Sequence, residues 1–393
     1  MSEGRRIYGG QVVTPDGVIE SGTVVVEGGI ITDVLSRAVG GRNDLDASGL
    51  WVLPGLIDTH SDAIEIEIQP RPSSIMPVEV SFFELEKKLT VQGITTMYHC
   101  MSFSEIPGNE LRANDTVVKN IDRLRRFAAG RRLINHRVHV RYEMRNVAAA
   151  GLVDELMADG GVHQLSFMDH TPGQGQYRDV SRLRKYMITR RDMTGEEADR
   201  LLAERRVAPK ASLEVLAGLA ARARELGITL ATHDDDNVER LDLLQEWGGR
   251  ICEFPVRLDI AQEAKRRGLA VVVGATNLLL GGSHSGNLAA IDAVRAGCVD
   301  ILCSDYYPPA LLQGAFLLRN LGYDMAWCTR LVTQHPAQAL GIDGAVGSLA
   351  PGKAADVLLV GEVGGRPVVQ KVMVGGRLVA SLDYGDEREQ RPA

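Results

Sequence analysis

Residues 49–60 read Gly-Leu-Trp-Val-Leu-Pro-Gly-Leu-Ile-Asp-Thr-His, an apolar run broken at Pro54-Gly55 and ended by Asp58-Thr59-His60. A short buried strand that stops abruptly in a carboxylate and an imidazole is placed for chemistry. Residues two apart on a strand face one side, so Asp58 and His60 point together, and Asp62 extends the series. Oxygen and nitrogen donors of this kind suit a borderline divalent ion such as Zn²⁺ or Mn²⁺. The bland alternative is a polar strand exit that caps the next element.

Outward from that stretch, short apolar segments alternate with helical ones. Leu56-Ile57, Ile94–Tyr98, Arg137–Tyr142, Gln164–Met168, Thr229–Thr232, Ile251–Phe254, Val271–Val273 and Ile301–Cys303 are candidate strands. Leu213–Leu226 and Ala289–Gly297 are typical of the helical patterns between them. Strand-then-helix repetition argues a parallel sheet wrapped by helices, and eight units argue a closed α/β barrel of the (β/α)8 TIM type. Residues 61–92 and 171–210 are too long for simple connections and are expected to cover the active face.

The chain ends differ from its middle. Val12-Val13, Thr23–Val26 and Ile30–Val34 are β-branched runs between turn signals, and Gly347–Val379 returns to the same character. Residues 1–52 and 347–393 are therefore expected to form one small discontinuous β domain, with the barrel, 53–346, inserted between its halves.

Composition narrows the function. The charge is 44 Lys and Arg against 51 Asp and Glu, net −7, which disfavours nucleic acid as a partner. The Arg125-Arg126 and Arg131-Arg132 runs read first as solvated helix faces. Five cysteines without a close pair fit a reducing compartment, and neither a signal peptide nor an 18-residue apolar run is present. The expectation is a cytoplasmic protein with no membrane partner.

Other polar residues stand at strand ends. His233 closes an apolar run and precedes Asp234, Asp235 and Asp236, at least one of which suits a helix cap. Asp305 follows Ile301–Cys303 and would either act in the site or cap the next helix. His139, Arg141 and Glu143 share one parity, so a regular strand turns all three inward, which is costly unless they are paired or metal-bound. His170 follows the Gln164–Met168 strand. His99 is either a substrate contact or a satisfied core histidine. Gly281–Asn287 offers Ser283, His284, Ser285 and Asn287 before a helix start, a composition suited to an anion such as phosphate. Arg141, Tyr177, Arg178 and Lys185 are weaker anion contacts. No glycine pattern matches a nucleotide-binding loop.

The motifs PGLIDTH (54–60), ATHDDD (231–236), ICEFPV (251–256), GATNLLLGGSHSGN (274–287), CSDYYPPALL (303–312) and GSLAPGKAADVLLV (347–360) resemble the amidohydrolase superfamily over nearly the whole chain. Within it they are most similar to the diphosphatases of phosphonate metabolism, which belong to the carbon–phosphorus lyase pathway. The resemblance implies one or two divalent ions, Zn or Mn, on Asp58, His60, Glu143, His170, His233 and Asp305. Asp58 stands where that superfamily usually has histidine, and His170 and Glu253 compete for one ligand position.

It also implies a small phosphorylated ribose phosphonate as partner: α-D-ribose 1-methylphosphonate 5-triphosphate, or a related 1-phosphonate, hydrolysed to the 5-phosphate and pyrophosphate. Asp305 would take the proton of the attacking water and His284 would assist the leaving group. Metal-dependent hydrolysis of a carbon–nitrogen bond, as by a deacetylase or cyclic amidase, is the alternative. Dimers are common among such barrels, so a homodimer is among the expected assemblies.

Overall fold

The computed structural model describes residues 4–71, 74–104, 109–190, 193–283 and 286–385. Two sheets organise it. The first contains β1 (Arg5–Thr14), β2 (Gly17–Glu27), β3 (Ile30–Leu35), β4 (Leu45–Asp46) and β5 (Trp51–Pro54). The second contains β6 (Leu56–Ser61), β7 (Ile94–Phe103), β8 (Asn135–Glu143), β9 (Gln164–Met168), β10 (Thr229–His233), β11 (Ile251–Glu253), β12 (Ala270–Gly274) and β13 (Ile301–Cys303). β14 (Val357–Val363), β15 (Arg366–Val374) and β16 (Arg377–Ser381) rejoin the first.

The second sheet runs β6 through β13 in sequence order, every pair parallel. It is the eight-stranded, nearly closed barrel expected from the strand–helix alternation. Helices cover its outside, which is why its strands are apolar on both faces. The seam between β13 and β6 is closed by two devices. Low in the barrel the main chain at Leu331-Val332 intervenes, accepting from Leu302 N and Ile57 N at 2.9 Å each. At the mouth Asp305 N donates to His60 O at 3.0 Å, and Asp62 N to Asp305 O at 2.6 Å. The first and last strands thus deliver their polar residues to one place.

The first sheet, in the order β16-β15-β14-β5-β1-β2-β3 with β4 beside β1, is assembled from both ends of the chain. β5 pairs with β1 through Trp51 and Val52 and with β14 through Trp51–Pro54. The crossing into the barrel therefore falls at Gly55, two residues past the 52–53 division. A Cβ at Gly55 would lie 2.1 Å from Thr95 Oγ1, so glycine is required where the chain turns against β7.

The two long connections are helical. Residues 61–92 contain the helices Ala63–Ile68 and Val78–Val91. Residues 171–210 contain Val180–Arg190 and Gly195–Val207, the latter begun by a capping box of Thr194 and Glu197. This pair has its own small core of Leu183, Met187, Ala198 and Leu202, and it overhangs the barrel mouth. No helix among the described residues is long and apolar enough to cross a membrane.

Candidate active site

Inside the barrel the side chains change from apolar to polar along the axis. Ile57, Ala231, Ile251, Val272 and Ile301 form the lower layer. Toward the carboxyl ends of the same strands stand His60, Glu253 and His233, with His139 beside them on β8, all buried. This is the face on which barrels of this type build their sites.

Glu253 is the hub of that polar layer. Its Oε2 lies 3.1 Å from His60 Nδ1, 3.4 Å from His233 Nδ1 and 3.9 Å from His139 Nε2. Its Oε1 accepts from Gln164 Nε2 at 2.8 Å. Burial pushes the carboxyl up, but the surrounding imidazoles and their hydrogen bonds outweigh it and hold Glu253 well below the ordinary range. An ionised carboxylate behind Nδ1 keeps the proton there and leaves the Nε2 lone pairs facing the mouth. The His60 and His233 rings stack, centroids 5.2 Å apart and 12° from parallel, so both present Nε2 in nearly the same plane orientation.

His60 Nε2 is buried without a hydrogen-bond partner. His233 Nε2 faces Arg141 Nη2 at 3.0 Å and Asp234 Oδ2 at 3.3 Å. Burial is the main reason its pKa falls below the ordinary imidazole value. Arg141 is anchored by Nη1 to both oxygens of Asp62, at 2.8 and 3.0 Å. Burial opposes ionisation of Asp62, but Arg141 and Arg112 prevail and lower its pKa strongly.

A second group lies toward the mouth. His170 Nδ1 is 2.8 Å from Glu143 Oε2, and its Nε2 is 3.7 Å from Asp234 Oδ2. Burial lowers the His170 pKa, yet the neighbouring carboxylates of Asp234 and Glu143 leave it raised. Arg145 Nε braces Glu143 Oε1 at 3.0 Å. Asp234 Oδ2 is buried with no hydrogen-bond partner.

The donor set fits a divalent ion. His60, His233 and Glu253, and likewise His170, His233 and Asp234, bring ligand atoms within 4.8 Å of one another, as do His60, Cys100 and His139. Imidazole and carboxylate donors, with buried orphan atoms among them, are what one or two such ions would satisfy. Burial pushes the Cys100 thiol far up, which makes its group the poorest of the three.

The backbone at the mouth is strained. Among the described residues only Asp234, Phe254 and Asp305 are non-glycine with positive φ, at 56°, 52° and 62°. All three lie just past barrel strands β10, β11 and β13, where strain re-aims side chains at a site.

A cavity of about 580 Å³ opens above these groups. Asp62, Arg141, Glu143, His170, Tyr177, His233, Ser283, Asn287 and Asp305, all noted in the sequence, line it. Arg112, Arg145, Arg182 and Arg205 line it too and were not singled out by sequence reasoning. Of these, Arg145 alone carried a signal, since it continues the parity of Arg141 and Glu143.

Four expected residues are placed elsewhere. His99 Nε2 bonds His136 Nδ1 at 2.9 Å, in the layer between barrel and helices, because Cys100 and not His99 has the inward parity of β7. Arg178 and Lys185 are exposed and outside the cavity lining, which Arg182 and Leu183 reach from the overhanging helix. Asp58 is fully buried at the barrel seam, where Oδ1 accepts from Ser304 N at 3.0 Å, and it joins none of the three ligand groups. The β6–β7 register shifts between Asp58 and Ser61, so the alternation assumed for Asp58 and His60 is broken there. His284 and Ser285 lie outside the described residues.

The chain is 31% identical over 352 residues to the α-D-ribose 1-methylphosphonate 5-triphosphate diphosphatase of Escherichia coli K12, covering 87% of this chain and 91% of that one. Solved structures with the same fold include the dihydropyrimidinase of Brevibacillus agri NCHU1002, with TM-score 0.65 and 14% identity over 96% of this chain and 95% of that one. The β-aspartyl dipeptidase of Fervidobacterium islandicum AW-1 has TM-score 0.63 and 16% identity over 98% and 100%. Residues 51–379 match the amidohydrolase family, and with the polar barrel mouth this makes the chain a member of that family, with the metal-dependent hydrolase activity typical of its fold.

Proposed function

We propose that this hydrolase cleaves a phosphoric anhydride, converting α-D-ribose 1-methylphosphonate 5-triphosphate, or a related ribose 1-phosphonate, to its 5-phosphate and pyrophosphate. The observation that carries the reading is the arginine set. In a chain of net charge −7, Arg112, Arg141, Arg145, Arg182 and Arg205 converge on one cavity. Guanidinium forks match phosphate oxygens bidentately, and a triphosphate offers several. Arg145 and Arg182 now hold Glu143 and Asp179 at 3.0 and 3.3 Å, contacts a polyphosphate can replace. The E. coli relative, named for this substrate, supports the same choice.

His170, His233 and Asp234, with His60 and Asp305 beside them, would hold the divalent ion, Zn or Mn. When bound, it lowers the pKa of water and offsets charge on the substrate oxygens. Asp305 faces the cavity and accepts the proton of the attacking water. The arginines orient the triphosphate and stabilise charge as the bond to pyrophosphate breaks. Tyr177, its ring 5.4 Å from that of His170, and the overhanging helices restrict bulk water.

Carbon–nitrogen hydrolysis is the second reading, and two observations favour it. The similar solved structures are named as a dihydropyrimidinase and a dipeptidase. Asp62, Glu143, Asp234 and Asp305 also offset the arginines, so the wall would tolerate a neutral amide. The two readings separate in one experiment. Metal-loaded enzyme is given the ribose triphosphate, and in parallel dihydrouracil, hydantoin, N-acetyl amino acids and β-aspartyl dipeptides. Release of pyrophosphate, seen by ³¹P NMR and lost with a chelator, is the expected result. Turnover of an amide with an inert triphosphate would replace the first reading by the second.

A further inference from the structure

We infer that the Arg141 guanidinium takes the place of one of the two cations this centre has ligands for, so that each chain binds a single divalent ion. The inference rests on the metal-dependent reading above. Arg141 is 5% exposed and reaches the axis from β8, between His139 and Glu143. Its two Nη atoms are spread between opposite sides of the site. Nη1 holds Asp62, on the chain just past β6, and Nη2 lies 3.0 Å from His233 Nε2, on β10. That is the position a cation linking first-strand and middle-strand ligands would take.

The ligands on the first-strand side are already committed. Asp62 gives both oxygens to Arg141. Glu253 gives Oε1 to Gln164 and Oε2 to the Nδ1 atoms of His60 and His233. His60 Nε2 remains, and a single donor does not hold an ion while Asp62 is occupied. A dication there would also stand beside a guanidinium with little water to screen it.

The other side is open. Asp234 Oδ2, without a hydrogen bond, faces His233 Nε2 at 3.3 Å and His170 Nε2 at 3.7 Å. Each imidazole has its own carboxylate behind Nδ1, Glu143 for His170 and Glu253 for His233. Such backing orients metal-binding histidines. An ion on these three residues requires Arg141 to release only His233. The tether to Asp62 is kept, and the rigid fork turns about it.

The test is to count ions. The full-length protein is loaded with Mn²⁺, desalted, and measured by elemental analysis and by electron paramagnetic resonance. One ion per chain with a six-line spectrum is expected. In R141M, which leaves Asp62 only the looser contact with Arg112 at 3.7 Å, two ions and an exchange-coupled spectrum are expected, with a thermal melt showing that the variant is folded. Two coupled ions in the wild type would overturn the inference while leaving metal dependence intact. A folded R141M that still holds one ion would also overturn it. No bound ion in either protein would overturn the metal-dependent reading itself. If R141M does not fold, the wild-type spectrum alone decides.

Discussion

Glu143 Oε2 lies 2.8 Å from His170 Nδ1, and this contact fixes which nitrogen of His170 faces Asp234. Glu143→Gln removes the charge that keeps the proton on Nδ1. Metal affinity is expected to fall by roughly 10–100-fold, the usual effect of losing a carboxylate behind a metal-binding histidine. Competition with a chelating dye measures it. An unchanged affinity would separate Glu143 from the ion-binding group.

Asp305 has φ 62° and stands at the seam between the first and last strands. Asparagine tolerates this left-handed conformation and alanine does not. Asp305→Asn should therefore melt near the wild-type temperature while kcat falls by about 10²–10⁴-fold. Asp305→Ala should lose both activity and roughly 1–2 kcal/mol of stability. Near-normal turnover in the asparagine variant would remove Asp305 from the proton-accepting role.

Arg182 is more than half exposed, at 57% of its side chain, and paired only with nearby Asp179 among the ion pairs described. Arg182→Ala should raise KM for a triphosphate by about tenfold and leave kcat nearly unchanged, since it grips charge away from the reacting bond. The same variant should be silent toward a neutral amide. A KM that did not respond would argue that the polyphosphate does not pass this rim.

Glu86 gives a pH signature away from the site. Its Oε1 accepts from Leu133 N, Ile134 N and His136 Nε2 at 2.5, 3.2 and 3.1 Å. Burial alone would raise its pKa, but these bonds leave it below 4.5. A lowered carboxylate stabilises the fold fully above its unfolded pKa, and the gain is lost as pH falls through the folded value. Melting curves from pH 6 to pH 3 should therefore show wild type losing its advantage over Glu86→Gln below about pH 4.5, the ordinary glutamate value. A constant difference across that range would mean that Glu86 does not titrate with folding.

All eight barrel strands were legible in the sequence because each is a short apolar run between helical segments, and such runs are buried wherever they fall. His233, Glu143 and Asp305 were legible for a related reason, since a charged or imidazole group just past a buried strand has little to do but face the mouth. Parity succeeded on β8, a regular strand, and brought His139, Arg141 and Glu143 inward together. It failed at Asp58, where the pairing of β6 with β7 slips. Arg182 and Arg205 could not have been found. They reach the cavity only because a helical hairpin folds back over it, a tertiary fact with no local signature. The bonds that define Glu253 likewise join residues from β6, β9, β10 and β11, far apart in sequence.

The small sheet has a consequence for how the chain is made. β5 is complete when residue 54 has been synthesised, but its partner β14 begins at Val357. At roughly 5–20 residues per second the interval is about 15–60 s. Throughout it Trp51–Pro54 is an apolar strand with one side unpaired, tethered to a barrel still being completed. The last three strands act as the closing piece of the molecule. Chains halted or nicked before Val357 should fail by exposing that edge, well away from the chemistry at the other end of the barrel.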